Sequence, residues 1–292
     1  MDLEAQKGII KKKLIRKSPF SVGYYNFQPS ILSDNYPAKL PMDLAEELVL
    51  QYSDPGDLIL DPFIGSGTTL RAAVKHGRRG IGLDINPDAI DLCKQYPELQ
   101  TCKIELADSR KMPIPDDSID VIITSSPYGT LIAGKKLAYS DDPRDLSNAK
   151  NYNDFLLGLL DILEECFRVL KPGRPVCFVA KDRNKRILQP LASYILVFGG
   201  MPKDETFTIN GNLRHGVGFW PWSHRVFPTI PYMIWTFGAE NKRKAIPQHE
   251  ELAVLVKPDG ELPEEEEPKE VERVKYDVLD NIFLVEKMRG GG

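Results

Sequence analysis

Residues 61–69 read Asp61-Pro62-Phe63-Ile64-Gly65-Ser66-Gly67-Thr68-Thr69, between the run Asp57-Leu58-Ile59-Leu60 and a helical pattern from Leu70 to His76. A strand, a glycine-rich turn and a helix in this order commit the chain to an α/β architecture. The turn brings backbone N–H groups and a helix N-terminus close to a ligand. Glycine lets the backbone approach without a Cβ in the way. Thr68 follows the second glycine, where a phosphate-binding loop would carry lysine. The turn therefore marks a ligand site and leaves the ligand's identity to the rest of the sequence.

The pattern continues as an open sheet. A strand over 80–85 ends on Asp84 and Ile85, with Asp84 23 residues after Asp61. An acid at the tip of the second strand meets ribose hydroxyls of a nucleoside bound at the first turn; the competing role is capping a helix that starts near Pro87. Helix 87–95 and a strand over 101–106 lead into Asp108 and Ser109, again at a carboxyl strand end. The β-branched run 119–124 reads as a strand buried on both faces and runs into Ser125-Ser126-Pro127-Tyr128. Apolar spacing predicts helices over 42–51, 154–170 and 186–198, and strands over 176–180 and 250–257. The expected fold is a mostly parallel, doubly wound sheet with helices on both faces.

Charge divides the chain. The net charge is −4, which excludes a uniformly basic nucleic-acid binder. Residues 7–17 carry six basic side chains and no acid, while 264–267 are four glutamates. Residues 1–34 read as a basic, aromatic arm, 35–257 as the main domain, and 258–292 as an acidic linker and tail. Within the main domain, 129–153 is polar and turn-rich, as in a lid beside a site. Residues 203–247 hold all three tryptophans together with many basic residues. The charged content of 27% resembles usage in heat-adapted proteins. Cys93, Cys102, Cys166 and Cys177 have no metal-type spacing and read as buried thiols of a reducing cytoplasm. No signal peptide and no apolar run of membrane-spanning length are evident.

Taken together, Asp61–Thr69, Asp84 and Ser125-Ser126-Pro127-Tyr128 resemble the S-adenosylmethionine-dependent amino-methyltransferases that modify cytosine N4 or adenine N6. The resemblance covers about residues 35–257. It implies a Rossmann-like class I methyltransferase fold with an antiparallel last strand. It implies S-adenosylmethionine at Lys39, Asp61, Pro62, Phe63, Gly65, Gly67, Thr68, Thr69, Asp84, Ile85, Asp108 and Ser109, with Thr69 alternatively a helix cap. Ser125, Ser126, Pro127 and Tyr128 correspond to the family's catalytic motif, commonly Asp, Asn or Ser, then two prolines and an aromatic. Ser126 departs from that pattern. The cofactor turn also precedes the catalytic motif, the reverse of many DNA enzymes. This permuted order is similar to the branch that modifies structured RNA, including archaeal ribosomal RNA, and Ser125 resembles cytosine-N4 enzymes.

The implied activity is methylation of cytosine N4 in nucleic acid, with ribosomal RNA ahead of DNA and adenine N6 as the nearest rival. Tyr25, Arg214, His215, Trp220, Trp222, His224 and Arg225 are the expected substrate contacts, through phosphates and stacked bases; the tryptophans could instead be core. Two other classes compete. A non-catalytic binder of this fold draws on Ser126, and a small-molecule methyltransferase is disfavoured by the tetrapeptide. Cytosine-C5 chemistry would need a nucleophilic cysteine after proline, and Cys177 follows Val176 inside a strand.

Overall fold

A computed structural model of the chain describes residues 40, 42–127, 140–180, 183–184, 188–189, 191–223, 234–235, 245–246 and 251–259. All fall in the first of two compact units, Met1–Asp259 and Gly260–Gly292.

The first half alternates helix and strand: α1 (Met42–Tyr52), β1 (Leu58–Asp61), α2 (Thr68–Lys75), β2 (Arg79–Asp84), α3 (Pro87–Lys94), β3 (Lys103–Leu106) and β4 (Val121–Ser125). Then come α4 (Tyr152–Val169), β5 (Pro175–Ala180), the two-residue strands β6 (Arg183–Asn184) and β7 (Leu188–Gln189), and α5 (Leu191–Gly200). A hairpin of β8 (Thr206–Ile209) and β9 (Asn212–His215) precedes β10 (Trp220–Ser223). The short pair β11 (Ile234–Trp235) and β12 (Ala245–Ile246) is followed by β13 (Glu251–Val256).

Seven strands form one sheet in the order β3-β2-β1-β4-β5-β13-β10. The β1–β2, β2–β3, β1–β4 and β4–β5 pairings are parallel. β13 runs antiparallel to β5, as the family resemblance implies. A second antiparallel strand, β10, extends that edge. Pro221 argues against a strand in the sequence, but an edge strand tolerates proline because no partner needs its missing N–H. The helix expected over 186–198 starts only at Leu191, after the β6–β7 pair. A proline in the sequence at 190 bars an unbroken helix through this stretch.

The sheet buries both faces, each against its own helices. Ile122 of β4 faces the cluster that holds Phe155, Leu159 and Leu163 of α4. Its neighbours Val121 and Ile123 face the opposite cluster, with Ala45, Leu48 and Val49 of α1 and Leu70 of α2. This two-residue alternation explains why β4 is apolar throughout. At the far end from the glycine turn, Asp120 accepts the Leu58 N–H at 2.9 Å and pairs with Lys171 at 2.7 Å. The turn itself is fixed by Ile64, whose N–H donates to Leu83 O at 2.9 Å. A Cβ added at Gly82 would lie 2.1 Å from Ile64 Cδ1, so glycine there makes room for the turn's apolar anchor.

Candidate active site

Strand order reverses between β1 and β4, the place where an open α/β sheet binds ligands at its carboxyl ends. An open cleft of about 840 Å³ lies there. It is lined by Leu40, the turn from Asp61 to Ser66, Thr68, Thr69, Asp84, Ile85, Ala107 to Arg110, and Ser125 to Pro127. Arg144, Asp145, Leu146 and Ile162 line it as well. Thus the glycine turn, both strand-tip acids and the described part of the tetrapeptide share one cavity. Gly67 is not a lining residue. It begins α2 at φ 78°, and a Cβ there would sit 2.7 Å from Leu99 Cδ1, so this position requires glycine on two counts.

Asp61 is buried at the end of β1. Its Oδ1 accepts the Thr124 hydroxyl at 2.6 Å and the Phe63 N–H at 3.1 Å, and Thr69 donates to the carboxylate too. Thr69 therefore serves the acid and not the helix end. Burial pushes the Asp61 carboxyl up to about 6 despite these three bonds. Half-buried Asp84 braces the turn: its Oδ2 accepts Gly65 N–H and its Oδ1 accepts Asn86 N–H, both at 2.9 Å. The cap of α3 is Asn86, whose Oδ1 accepts the Asp88 N–H at 2.9 Å. Asp84 is likewise raised to about 6, first by burial and then by the charges of Asp145 and Asp61.

Asp108 differs. Burial opposes its charge, but Arg110 overcomes this with a two-pronged pair at 2.9 and 2.8 Å and holds the carboxyl below its ordinary value. The same guanidinium donates to Arg144 O at 2.8 Å, linking Asp108 to the 140–148 loop. That loop is internally bonded: Ser140 Oγ donates to Asp145 Oδ2 at 2.7 Å, and Asn148 Nδ2 to Ser140 O at 2.8 Å. Ser109 Oγ donates to Pro62 O at 2.7 Å, tying the β3 exit to the turn.

Sequence reasoning missed Thr124, Arg110, Arg144 and Asp145. Thr124 had a readable signal, being a polar residue that follows three apolar ones in β4 and adjoins the tetrapeptide. Arg144 and Asp145 arrive through a loop that no short-range pattern places, and Arg110 reaches that loop from beside Asp108.

The expected substrate contacts are less concentrated. Arg214 pairs with Asp161 and Glu164 of α4, both at 2.8 Å, so its guanidinium is committed inside the molecule. His215 is exposed at the end of β9, and Trp220 is half-buried in the edge strand β10, where Trp222 also lies. Lys39, Tyr25, Tyr128, His224 and Arg225 lie outside the described residues. Cys93, Cys166 and Cys177 are buried free thiols and Cys102 is half-buried. Among the described residues, no cluster of His, Cys, Asp and Glu is placed to hold a metal ion, and no helix is long and apolar enough to cross a membrane.

The sequence matches the N6/N4 methylase family, described as DNA methylase, over residues 10–95 and 119–287. The chain belongs to that family. A general methyltransferase domain also matches over residues 59–138. S-adenosylmethionine is thus the cofactor of this chain, and its fold is the Rossmann-like class I methyltransferase fold. Type II methyltransferase M.HpaI of Haemophilus parainfluenzae is 38% identical over 89 residues, 30% of this chain and 28% of that one. DNA adenine methyltransferase YhdJ of Escherichia coli is 42% identical over 79 residues, 25% of this chain and 27% of that one. The matches therefore span less than a third of either relative. Among solved structures, TrmN from Thermus thermophilus aligns with TM-score 0.43 and 16% identity, over 76% of this chain and 50% of its own.

The residues present suit this cofactor. Two desolvated carboxylates, each raised to about 6, need positive charge or hydroxyl donors in the cleft. S-adenosylmethionine offers an ammonium, a sulfonium and two ribose hydroxyls.

Proposed function

We propose that the chain methylates the exocyclic N4 amino group of a cytosine in nucleic acid. The observation that carries this reading is the shared cleft: Ser125, Ser126 and Pro127 leave β4 beside the turn that leaves β1. Asp84 and Asp108 would hold the ribose and adenine, and Asp61 with the glycine turn the methionine end. Lys39 and the stretch around it would cover that end.

When bound, the cofactor supplies an electrophilic methyl group. The chain's task is to prepare the acceptor. An amino group on cytosine is a weak nucleophile because its lone pair is delocalised into the ring. Acceptors aimed at its two N–H bonds favour the tetrahedral geometry that methylation needs. Ser125 Oγ and the Ser126 C=O would take this role, with Pro127 fixing the carbonyl's direction. Tyr128 would stack on the extruded base. No strong base is required, because the proton can leave after methyl transfer. Holding the base in line with the methyl supplies much of the rate.

Structured RNA, ribosomal RNA included, is favoured as substrate by the short aromatic-basic segment. Much of its described part completes the β8–β9 hairpin and the sheet edge, leaving shape and pocket to select the target. Duplex DNA is the second reading, favoured by the family's description and by the names of the relatives. Incubation with labelled S-adenosylmethionine and either RNA or duplex DNA, followed by nucleoside mass analysis, separates them. N4-methylcytidine in RNA is the expected product. Label entering DNA alone would overturn the RNA preference, and N6-methyladenine would overturn the choice of base.

Ser125→Ala is expected to lower kcat by about 10²–10³-fold, the usual loss when one preorganised hydrogen-bonding group is removed from a transition state. Cofactor affinity, read by calorimetry, should stay within about threefold of wild type, a difference below 1 kcal/mol. Loss of cofactor binding with turnover would place Ser125 at the cofactor instead.

A further inference from the structure

Ser126 occupies the position where the family commonly carries proline, and its hydroxyl is anomalous. The residue is 1% exposed, and its Oγ has no hydrogen-bond partner among the described residues. Neighbouring hydroxyls of residues that line the cleft are paired. Ser66 pairs with Thr68 at 3.2 Å, Ser109 donates to Pro62 O at 2.7 Å, and Thr69 donates to Asp61. A buried hydroxyl left unpaired is unfavourable, and native interiors rarely keep one without a use. Backbone geometry gives it little escape, since Ser126 N–H donates to Val179 O at 3.1 Å and holds the residue against β5.

We propose that Ser126 Oγ donates a hydrogen bond to the ring nitrogen next to the target amino group, N3 in cytosine. This rests on the amino-methyltransferase reading. There, Ser125 Oγ and the Ser126 carbonyl receive the two amino N–H bonds. The next group along that edge of the base is a lone-pair acceptor on the ring. A hydroxyl on the same residue as the amino-accepting carbonyl is the donor within reach. Proline at this position offers no such donor, so the bond belongs to this chain's own version of the motif. Ser126 then requires an acceptor beside the amino group and orients the ring about its stacking axis.

The test compares wild type and Ser126→Ala on matched oligonucleotides carrying cytosine or 3-deazacytosine at the target. In the deaza base a C–H replaces the accepting nitrogen. Wild type should lose about 10-fold in kcat/KM on the deaza base, as for one neutral hydrogen bond. Ser126→Ala should lose about 10-fold on cytosine and little more on the deaza base. Its cofactor affinity should be unchanged and its melting temperature equal or higher, since a buried unpaired hydroxyl has gone. Equal kcat/KM for wild type and variant on cytosine would overturn the proposal. So would an equal deaza penalty in both. Absence of any methyl transfer by wild type to nucleic acid would instead remove the underlying reading, and this inference with it.

Discussion

Asp84→Ala is expected to weaken S-adenosylmethionine binding by at least about 100-fold, measured by titration calorimetry, because it removes about 3 kcal/mol or more of charge-assisted hydrogen bonding. The carboxylate acts twice. Toward the protein, its two oxygens hold the N–H groups of Gly65 and Asn86, both at 2.9 Å. Toward the cleft, the same oxygens keep lone pairs for ribose hydroxyls. Alanine loses both roles, so the glycine turn loosens as the ligand contact disappears. Asparagine is no conservative rescue: its NH₂ would oppose one of those two backbone N–H donors. An Asp84→Ala protein that binds within about threefold of wild type would mean that Asp84 only braces the turn. The melting temperature should fall moderately, since two backbone donors revert to water.

Much of this site is legible from local chemistry. Asp61 and Asp84 end strands whose apolar residues the sequence shows plainly, and Asp108 follows the end of β3 by two residues. In a parallel sheet every such end lies on one side, so their convergence follows from element order alone. Arg110 is legible only in three dimensions. It stands two residues after Asp108, and nothing in its spacing reveals that it also holds Arg144 O of a loop 34 residues away. The edge strand β10 was hidden for a different reason. Its four residues include Pro221, and its pairing with β13 shifts register between Pro221 and Ser223. Arg214 shows the converse: its composition suggested phosphate contact, but the hairpin turns it onto two carboxylates of α4. A basic residue in a basic segment is free for a ligand only if the fold leaves it so.

Asp61→Asn should make the protein more stable at pH 8 and worse at binding its cofactor. The Asp61 carboxyl is raised from 3.8 to about 6, chiefly by burial. Its proton is therefore held more tightly in the folded chain than in the unfolded one. Between about pH 4 and 6 the folded state binds more protons, so stability falls as pH rises through this window, by roughly 3 kcal/mol for a two-unit shift. Above the window the loss is complete, and Asp84, also raised to about 6, adds a similar slope. Asparagine keeps an acceptor for Thr124 and for the Phe63 N–H, while the Thr69 hydroxyl can turn to accept from the new NH₂. Removing the buried charge should stabilise by about 2 kcal/mol at pH 8 after reorganisation, or roughly 4–8 °C in melting temperature. The slope of stability between about pH 4 and 6 should shrink by about half as one of two such groups is lost. Binding runs the other way. A positively charged cofactor favours ionised carboxylates, so wild-type affinity should rise from pH 5 to pH 7, while Asp61→Asn should be weaker at pH 7 and flatter with pH. A variant neither more stable at pH 8 nor altered in its slope would mean that the buried acid is compensated within the protein itself. The cofactor would then not be what its charge awaits.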